Sequence, residues 1–391
     1  VILAHLADLH LGFRQYHRQT PAGLNQREAD VAHAFRGAID QIIAAQPDVL
    51  VIAGDVFHSV RPTNPAILFA FRQFHRLREA LPRTRVVMIA GNHDSPRSVE
   101  TGSILALFET LDIDVVPDQQ RRLVYPELDL SILAVPHTAV VAGERSFYPE
   151  GNETHQVLLL HGAIPGLYAW EKHAPEYAGS LVTTEDLTRG KWSYVALGDY
   201  HVQREVAPGV WYSGALDYVS PNPWGELTDE QNYKVPGKGW LKVDLAKRKV
   251  GRQTVPLARR YIDLLPLDGS GRSAAEIDAM LATALSGVKG GFEDQVLRQV
   301  VRNVPRHLAR ELNYTAIRSY QAKALHYQLD LRRPEIQRQS ASGAPGRRQT
   351  LSETVEGFLQ QRYLPENLDR DSFVRTGMEF VRQVDSEPAG A

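Results

Sequence analysis

Short apolar runs alternate with helical stretches through the first half of the chain. Ile2–Leu6, Val49–Ala53 and Arg85–Ala90 read as strands, the second of them a β-branched run after Pro47. Between the first two, Val31, Phe35, Ala38, Ile39, Ile42 and Ile43 recur at helical spacing, and Ala66–Leu81 is a second helical stretch. Further strands are expected at Leu130–Val135, Val157–Leu160, Tyr194–Leu197 and Val210–Ser213. Strands that alternate with helices and then crowd together predict an α/β layered fold built on two sheets.

The pattern changes around Arg259–Leu267. A helical stretch at Ser273–Leu285 and strand-like runs at Gln295–Val301 and Ala324–Leu331 predict a separate small α+β unit. Residues 338–350 are rich in Ser, Gly, Ala, Gln and Arg without apolar periodicity and read as a flexible linker. Two short amphipathic helices follow. Val355, Phe358, Leu359 and Tyr363 form one stripe, and Phe373, Val374, Met378 and Val381 the other, with Asp369 or Asp371 available as N-cap. Two such helices are too short to build a core alone, so their apolar faces call for a partner.

Length fits this division, since 391 residues exceed what one core of about 250–300 residues holds. With 43% hydrophobic and 23% charged residues the chain falls in the globular class, not the disordered or fibrous ones. It has no cysteine, which excludes disulfides, thiolate metal sites and cysteine nucleophiles and leaves histidine, carboxylate and amide as metal ligands. No apolar run approaches the span of a bilayer and the first residues lack a basic lead, so a cytoplasmic protein is expected. The start at Val1 suggests that a residue or a few precede it. A net charge of −2 gives no global argument for a polyanion partner, so any such site must be local.

Polar residues gather where the expected strands end. Asp8-Leu9-His10 closes the first, and residues two apart share a face, so carboxylate and imidazole can reach one ion. Gly54-Asp55 closes the second strand, Gly91-Asn92-His93-Asp94 the third, His161-Gly162 a later one and Gly198-Asp199-Tyr200-His201 the next. In layered α/β proteins ligands collect at carboxyl strand ends, and glycine lets the chain turn sharply there. Each piece alone reads as a turn or a structural residue. Together and in this order they resemble the calcineurin-like metallophosphoesterases. The segment Gly54–Pro62 (GDVFHSVRP), the stretch Tyr194–Gly198 and Tyr212–Gly214 narrow the resemblance to SbcD and the related Mre-type DNA-repair nucleases.

That resemblance implies a four-layer αββα sandwich in residues 1–258, a small α+β capping domain in 259–337 that helps hold DNA, the linker 338–350, and a helical segment 351–384 that binds an SbcC-type ATPase. It implies one metal on Asp8, His10, Asp55 and His201, and a second on Asp55, Asn92, His161 and the residue at 199. Sulfur-free mixed ligands suit manganese, iron or zinc, and the family points to Mn2+. His93 would protonate the leaving oxygen or hold the phosphate, His58 would support it, and Asp94 would orient it. The family carries Gly-His-x-His where this chain has Gly198-Asp199-Tyr200-His201, so a carboxylate stands in place of a histidine. The expectation is a harder, more oxygen-rich second site with a less acidic water.

Between residues 298 and 348 eleven basic residues meet only three acidic ones, a local +8. Arg302, Arg306, Arg310, Arg318 and Lys323, with Arg61 near the metal motifs, are the candidate nucleic-acid contacts, against the plain reading of a solvated face. Phe358, Leu359, Tyr363, Phe373 and Met378 are the candidate partner contacts. All five tryptophans fall between 170 and 240 and are expected to pack around the second sheet. The loop Ser220–Gly239 is expected to border the substrate path. The apolar excess of Ala66–Leu81 with Ile104–Leu111 suggests a homodimer interface, as the resemblance also implies.

The expected function is a manganese-dependent DNA exonuclease or endonuclease subunit acting on double-strand ends or hairpins in a nucleoid-associated setting. A phosphodiesterase or phosphatase for small phosphoesters is the alternative from another class. A DNA-end-binding subunit weakened by Asp199 is the third.

Overall fold

The computed structural model describes residues 1–95, 102–143, 147–167, 181–334, 351–362, 364 and 369–386. The chain runs through β1 (Ile2–Leu6), α1 (Gln26–Ala45), β2 (Val49–Ala53), α2 (Asn64–Ala80), β3 (Arg85–Ile89) and β4 (Asp114–Val116). It continues with β5 (Arg121–Tyr125), β6 (Leu130–Val135), α3 (His137–Val141), β7 (His155–His161), α4 (Thr184–Thr188), β8 (Tyr194–Gly198), β9 (Arg204–Ala207) and β10 (Val210–Tyr212). Then come α5 (Pro223–Asn232), β11 (Gly239–Asp244), β12 (Lys249–Thr254), β13 (Tyr261–Asp268), α6 (Ala274–Ser286), β14 (Val296–Arg302), α7 (Arg306–Glu311), α8 (Tyr314–Lys323) and β15 (His326–Leu331). Last are α9 (Leu351–Gln361) and α10 (Arg370–Ser386).

Two six-stranded sheets carry the first part, in the orders β12-β11-β1-β2-β3-β4 and β5-β6-β7-β8-β10-β9. Their centres are parallel, β1 to β4 in one and β6 to β8 in the other. Strands buried on both faces read as unbroken apolar runs, which is why β2 (VLVIA) and β8 (YVALG) stood out in the sequence. Leu3, Val49, Val51, Val87 and Ile89 face Ile132, Ala134, Val157, Leu159 and Ala196 across the middle layer. The outer face of the first sheet is covered by α1 and α2 through Phe35, Ile39, Phe74 and Leu77. The outer face of the second is covered by α3 and α4 through Val140 and Leu187. The mixed α/β sandwich expected from the sequence is therefore present.

Local signals start the helices where they are needed. Asn25 accepts the amides of Arg27 and Glu28 at the head of α1, and Thr63 caps α2 with Pro65 in its first turn. Ser273 and Glu276 form a reciprocal capping box on α6.

The chain separates into two compact units, 1–334 and 335–391. Within the first, β13, β14 and β15 form a third, all-parallel sheet whose helices α6 to α8 bury Ile277, Leu281, Ile317 and Val301. This sheet meets the sandwich through Tyr218, Trp224, Tyr261, Val296 and Leu325. A buried ionic joint lies beside it. Arg27 donates to Asp30 at 3.0 Å, to Asp217 at 2.8 Å and to the Tyr218 carbonyl at 3.0 Å, and Arg259 donates to Asp30 at 2.9 Å. In the second unit α9 and α10 pack on each other, with Leu359 against Gly377, and Asp369 caps α10 by accepting the Ser372 amide at 2.9 Å. The predicted linker 338–350 lies outside the described residues.

The tryptophans spread wider than expected. Trp192 packs outside the second sheet, Trp240 lies under α1 on the first, and Trp224 sits at the joint with the third. Trp211 edges the middle layer, and Trp170 lies outside the described residues. After β10 the chain leaves the second sheet, passes the joint in α5 and returns to the first sheet as β11, so closeness in sequence did not keep these rings on one face.

Candidate metal centre

Loops leaving the carboxyl ends of β1, β2, β3, β7 and β8 build the site. They are laced together by backbone bonds: the Asp8 amide donates to the Gly54 carbonyl at 3.1 Å, His10 to Asp55 at 2.9 Å, and Gly162 to Gly198 at 3.2 Å. Asp8, His10, Asp55 and Asp199 all hold positive φ (52°, 44°, 53° and 108°), a region that side chains rarely occupy. Four such residues in one cluster locate strain at a functional site. Gly91 has no room for a side chain, because a Cβ there would collide with the Asp55 carboxylate.

The side chains converge as the strand ends predict. His10 Nε2 lies 3.3 Å from His201 Nε2 and 3.5 Å from Asp55 Oδ2. His161 Nε2 lies 3.0 Å from Asn92 Oδ1 and 3.7 Å from both Asp55 Oδ2 and Asp199 Oδ1. Asp55 thus stands between two groups of donors. Asp8 is placed with His10 and His201, and also with Asp55 and His161, ligand atoms lying within 4.8 Å of one another. Its carboxylate also accepts the Asp199 amide at 3.0 and 3.2 Å.

These atoms fit cations. Ligand atoms on one ion with bonds of about 2.1 Å stand about 3.0–3.4 Å apart, near the spacings seen here. The tautomers agree as well. His161 Nδ1 donates to the Ala53 carbonyl at 2.8 Å, and His201 Nδ1 donates to Glu226 Oε1 at 3.3 Å. In each neutral ring Nε2 keeps its lone pair, the arrangement in which a histidine binds metal while its other nitrogen is held from behind. Oxygen and nitrogen lone pairs then face one another and lack positive charge.

The electrostatics express the same deficit. Burial, reinforced by Asp55 and Asp199, raises the Asp8 carboxyl to about 7 despite two nearby histidines. For His161 burial works against the charged form, yet Asp55, Asp199 and Asp8 outweigh it and raise the ring to about 9. A proton is drawn in where a cation would stand. His10, buried and beside His201, His93 and His58, is pushed well down instead.

His93 sits at the edge of this cluster, its ring centroid 4.8 Å from that of His10 and 5.1 Å from that of His58. Its Nδ1 donates to the His58 carbonyl at 2.8 Å, and its amide donates to Asp55 Oδ1 at 2.9 Å. Asp94, expected to orient His93, points elsewhere: its carboxylate accepts the amides of Val56, Phe57 and Gly91 at 2.9, 2.9 and 3.2 Å. Three backbone donors hold it, so it braces the loops, and the His58 carbonyl aligns His93. The His58 side chain turns to His10, with the two Nδ1 atoms 3.2 Å apart.

The remaining candidates lie away from this cluster. Arg61 is exposed on the loop from β2 to α2. Arg302 ends β14, Arg306 and Arg310 lie on α7, and Arg318 and Lys323 on α8, all exposed. Among the described residues none of these five enters a salt bridge, whereas Arg298 is clamped on Asp263 at 2.9 and 2.6 Å and Arg332 on Asp330 at 2.9 Å. The accessible charge is therefore smaller than the sequence count. Phe358 is 60% exposed on α9; Leu359, Phe373 and Met378 are half-buried, and Tyr363 lies outside the described residues.

A family model for calcineurin-like phosphoesterases matches residues 2–204, just over half of the chain and all of the strand ends described above. The chain belongs to the calcineurin-like phosphoesterase family. Curated relatives carry the name DNA double-strand break repair protein Mre11. The Methanocaldococcus jannaschii protein is 28% identical over 63% of this chain and 63% of its own length. The Sulfurisphaera tokodaii protein is 32% identical over 62% of this chain and 59% of its own, and the Methanococcus maripaludis protein 36% over 62% of each. The phosphoesterase chain thus spans about six tenths of the length of these curated relatives, with which it is homologous across that part.

Two members of this phosphoesterase site escaped the sequence reading. Glu226, on α5, holds His201, and His137, at the start of α3, brings its ring within 6.1 Å of His161. The Pro- and Gly-rich loop 220–239 was the one signal near Glu226; for His137 there was none.

Proposed function

We propose that this chain is the nuclease subunit of a DNA-repair complex, hydrolysing phosphodiester bonds at double-strand ends or hairpins with two divalent ions, Mn2+ by preference. The observation that carries the reading is Asp55, which lies between His10 and His161 and so can serve two ions at once. Asp8, His10, Asp55 and His201 would hold one ion; Asp55, Asn92, His161 and Asp199 the other. When bound, such a pair makes a water nucleophilic near neutral pH and draws charge from the phosphate under attack.

The chain supplies the remaining chemistry. His93 has Nδ1–H fixed on the His58 carbonyl, so in the imidazolium the second proton sits on Nε2, available to the leaving oxygen. Its backbone amide on Asp55 ties the acid to the bridging carboxylate. Arg302, Arg306, Arg310, Arg318 and Lys323 would hold the phosphate backbone, and Arg61 the strand nearest the site. The apolar faces of α9 and α10 would dock on an SbcC-type ATPase, and α2 with Ile104–Leu111 on a second copy of the chain. No helix among the described residues is long and apolar enough to cross a membrane. The proposed setting is the cytoplasm, at the nucleoid.

End-labelled duplex and hairpin DNA incubated with Mn2+ tests the reading. Cleavage by the wild-type chain and its loss in His93→Ala support it. Hydrolysis of small phosphodiesters alone would favour a different phosphoesterase, and tight end binding without hydrolysis a scaffolding subunit.

A further inference from the structure

Three buried charges lie behind His201 with no part in the ligand set. Glu226 accepts the imidazole Nδ1–H at 3.3 Å and the Ser220 amide at 3.2 Å through the same oxygen. Its second oxygen pairs with Lys238. The Lys238 ammonium also donates to the His201 backbone carbonyl at 2.9 Å and pairs with Glu230 at 3.2 Å. Glu230 in turn accepts the Tyr218 hydroxyl at 2.6 Å. Glu226, Glu230 and Lys238 are all buried. An ion set this deep stabilises weakly at best, because desolvation offsets its attraction, so its presence beside a functional histidine asks for another reason.

The geometry supplies one. His201 is gripped at both ends, its ring by Glu226 and its backbone carbonyl by Lys238, and Glu226 and Lys238 grip each other. We propose that Glu226 is the positioning residue for the first metal site: it fixes the His201 tautomer with Nε2 toward His10 and, with Lys238, fixes the ring's position. The inference rests on the metallophosphoesterase reading of His201 as a ligand. A carboxylate behind a ligating imidazole raises its basicity and holds its direction, and removing such a partner lowers metal affinity by about 10–100-fold.

Helix α5 gives this device a second attachment. Two residues before Glu226, Trp224 donates its indole N–H to Gln328 of β15 at 2.7 Å, and the Arg298 guanidinium of β14 lies 5.1 Å from its ring centre. One ten-residue helix therefore touches the third sheet and carries the residue that sets a ligand.

The test is Mn2+ titration of the full chain, followed by isothermal calorimetry and by the electron-spin signal of free Mn2+. Wild type is expected to bind two ions. Glu226→Gln is expected to weaken one of the two about 10–100-fold, and the double variant His201→Ala with Glu226→Gln to bind no more weakly than His201→Ala alone. Glu230→Gln breaks the same ion set without touching His201 and is expected to leave both affinities within about twofold. Two results would overturn the inference while sparing the functional reading: unchanged affinities in Glu226→Gln, or equal weakening in Glu226→Gln and Glu230→Gln. A wild-type chain that binds no Mn2+ would overturn both. A folded circular-dichroism spectrum and cooperative melt for each variant exclude unfolding as the cause.

Discussion

At the strand ends Asp8, Asp55 and His161 are almost wholly buried and crowded against like groups, and Asp8 and Asp55 are held on a strained backbone. On α7 and α8, Arg306, Arg310, Arg318 and Lys323 stand in solvent without ionic partners among the described residues. Burial makes the first region costly to the apo fold and rigid in geometry, as chemistry on a reacting bond requires. Exposure makes the second cheap and adjustable, suited to holding a uniform phosphate backbone. One region should thus answer to metal and to single atoms, the other to salt and to total charge.

The largest expected effect breaks the first region outright. Asp55→Asn removes the carboxylate between His10 and His161, and phosphodiester hydrolysis in Mn2+ should fall by at least about 10³-fold, comparable to losing a major source of transition-state charge stabilisation. The same variant should lose the thermal stabilisation that Mn2+ gives wild type. That gain is expected to be about 2.7 kcal/mol per site at a hundredfold excess over Kd, reversed by a chelator and read by calorimetric melting. A wild-type melting temperature indifferent to Mn2+ and chelator would count against a cation site.

Next in size is the joint between the sandwich and the third sheet. Arg27→Met leaves Asp217 buried without its cationic partner and Asp30 with Arg259 alone, and such uncompensated charge costs about 3–5 kcal/mol. Urea unfolding should show that loss. A change under about 1 kcal/mol would mean that the joint relaxes or admits water.

The exposed region should yield a smaller and different effect. Replacing Arg306, Arg310 and Arg318 together by Ala should weaken duplex binding, and each phosphate that is no longer neutralised should lower the slope of log K against log salt by about 0.9. Hydrolysis of a small phosphodiester should be unaffected. If binding and its salt slope both stay at wild-type values, the backbone is held elsewhere.

What the sequence revealed follows from these physical differences. Strands β1, β2, β3, β6, β7 and β8 were legible because burial on both faces demands continuous apolar residues, and each site motif was legible because it closes one of them. The hairpin β11–β12 that completes the first sheet passed unnoticed, since the edge strand Lys249–Thr254 (KVGRQT) alternates poorly and stays half in solvent. Asp94 looked like a partner of its neighbour His93, but the backbone turns it toward three amides brought in from two loops. Glu226 lies 25 positions from His201 and gains meaning only through its bonds to that ring and to Lys238. Local motifs carry the candidate ligands; long-range packing carries what would orient them.

The subtlest test concerns Asp199, which stands where the family resemblance implies a histidine. The side chain faces His161 at 3.7 Å, while its amide donates to Asp8, so backbone and carboxylate serve the two halves of the centre. Asp199→His keeps the amide and, on the proposed ligand set, would replace one of three acidic ligands by a neutral ring. Against the four charges of the two proposed divalent ions the anionic ligands would then fall from three to two, and a water held there would be more acidic. The acid limb of the pH–rate profile for phosphodiester hydrolysis should move to lower pH by about one unit or less. Preference should also move from Mn2+ toward softer, nitrogen-loving ions such as Zn2+, read from metal content after dialysis against equimolar mixtures. If occupancy and profile both stay as in wild type, the carboxylate at 199 does not act through charge on the centre.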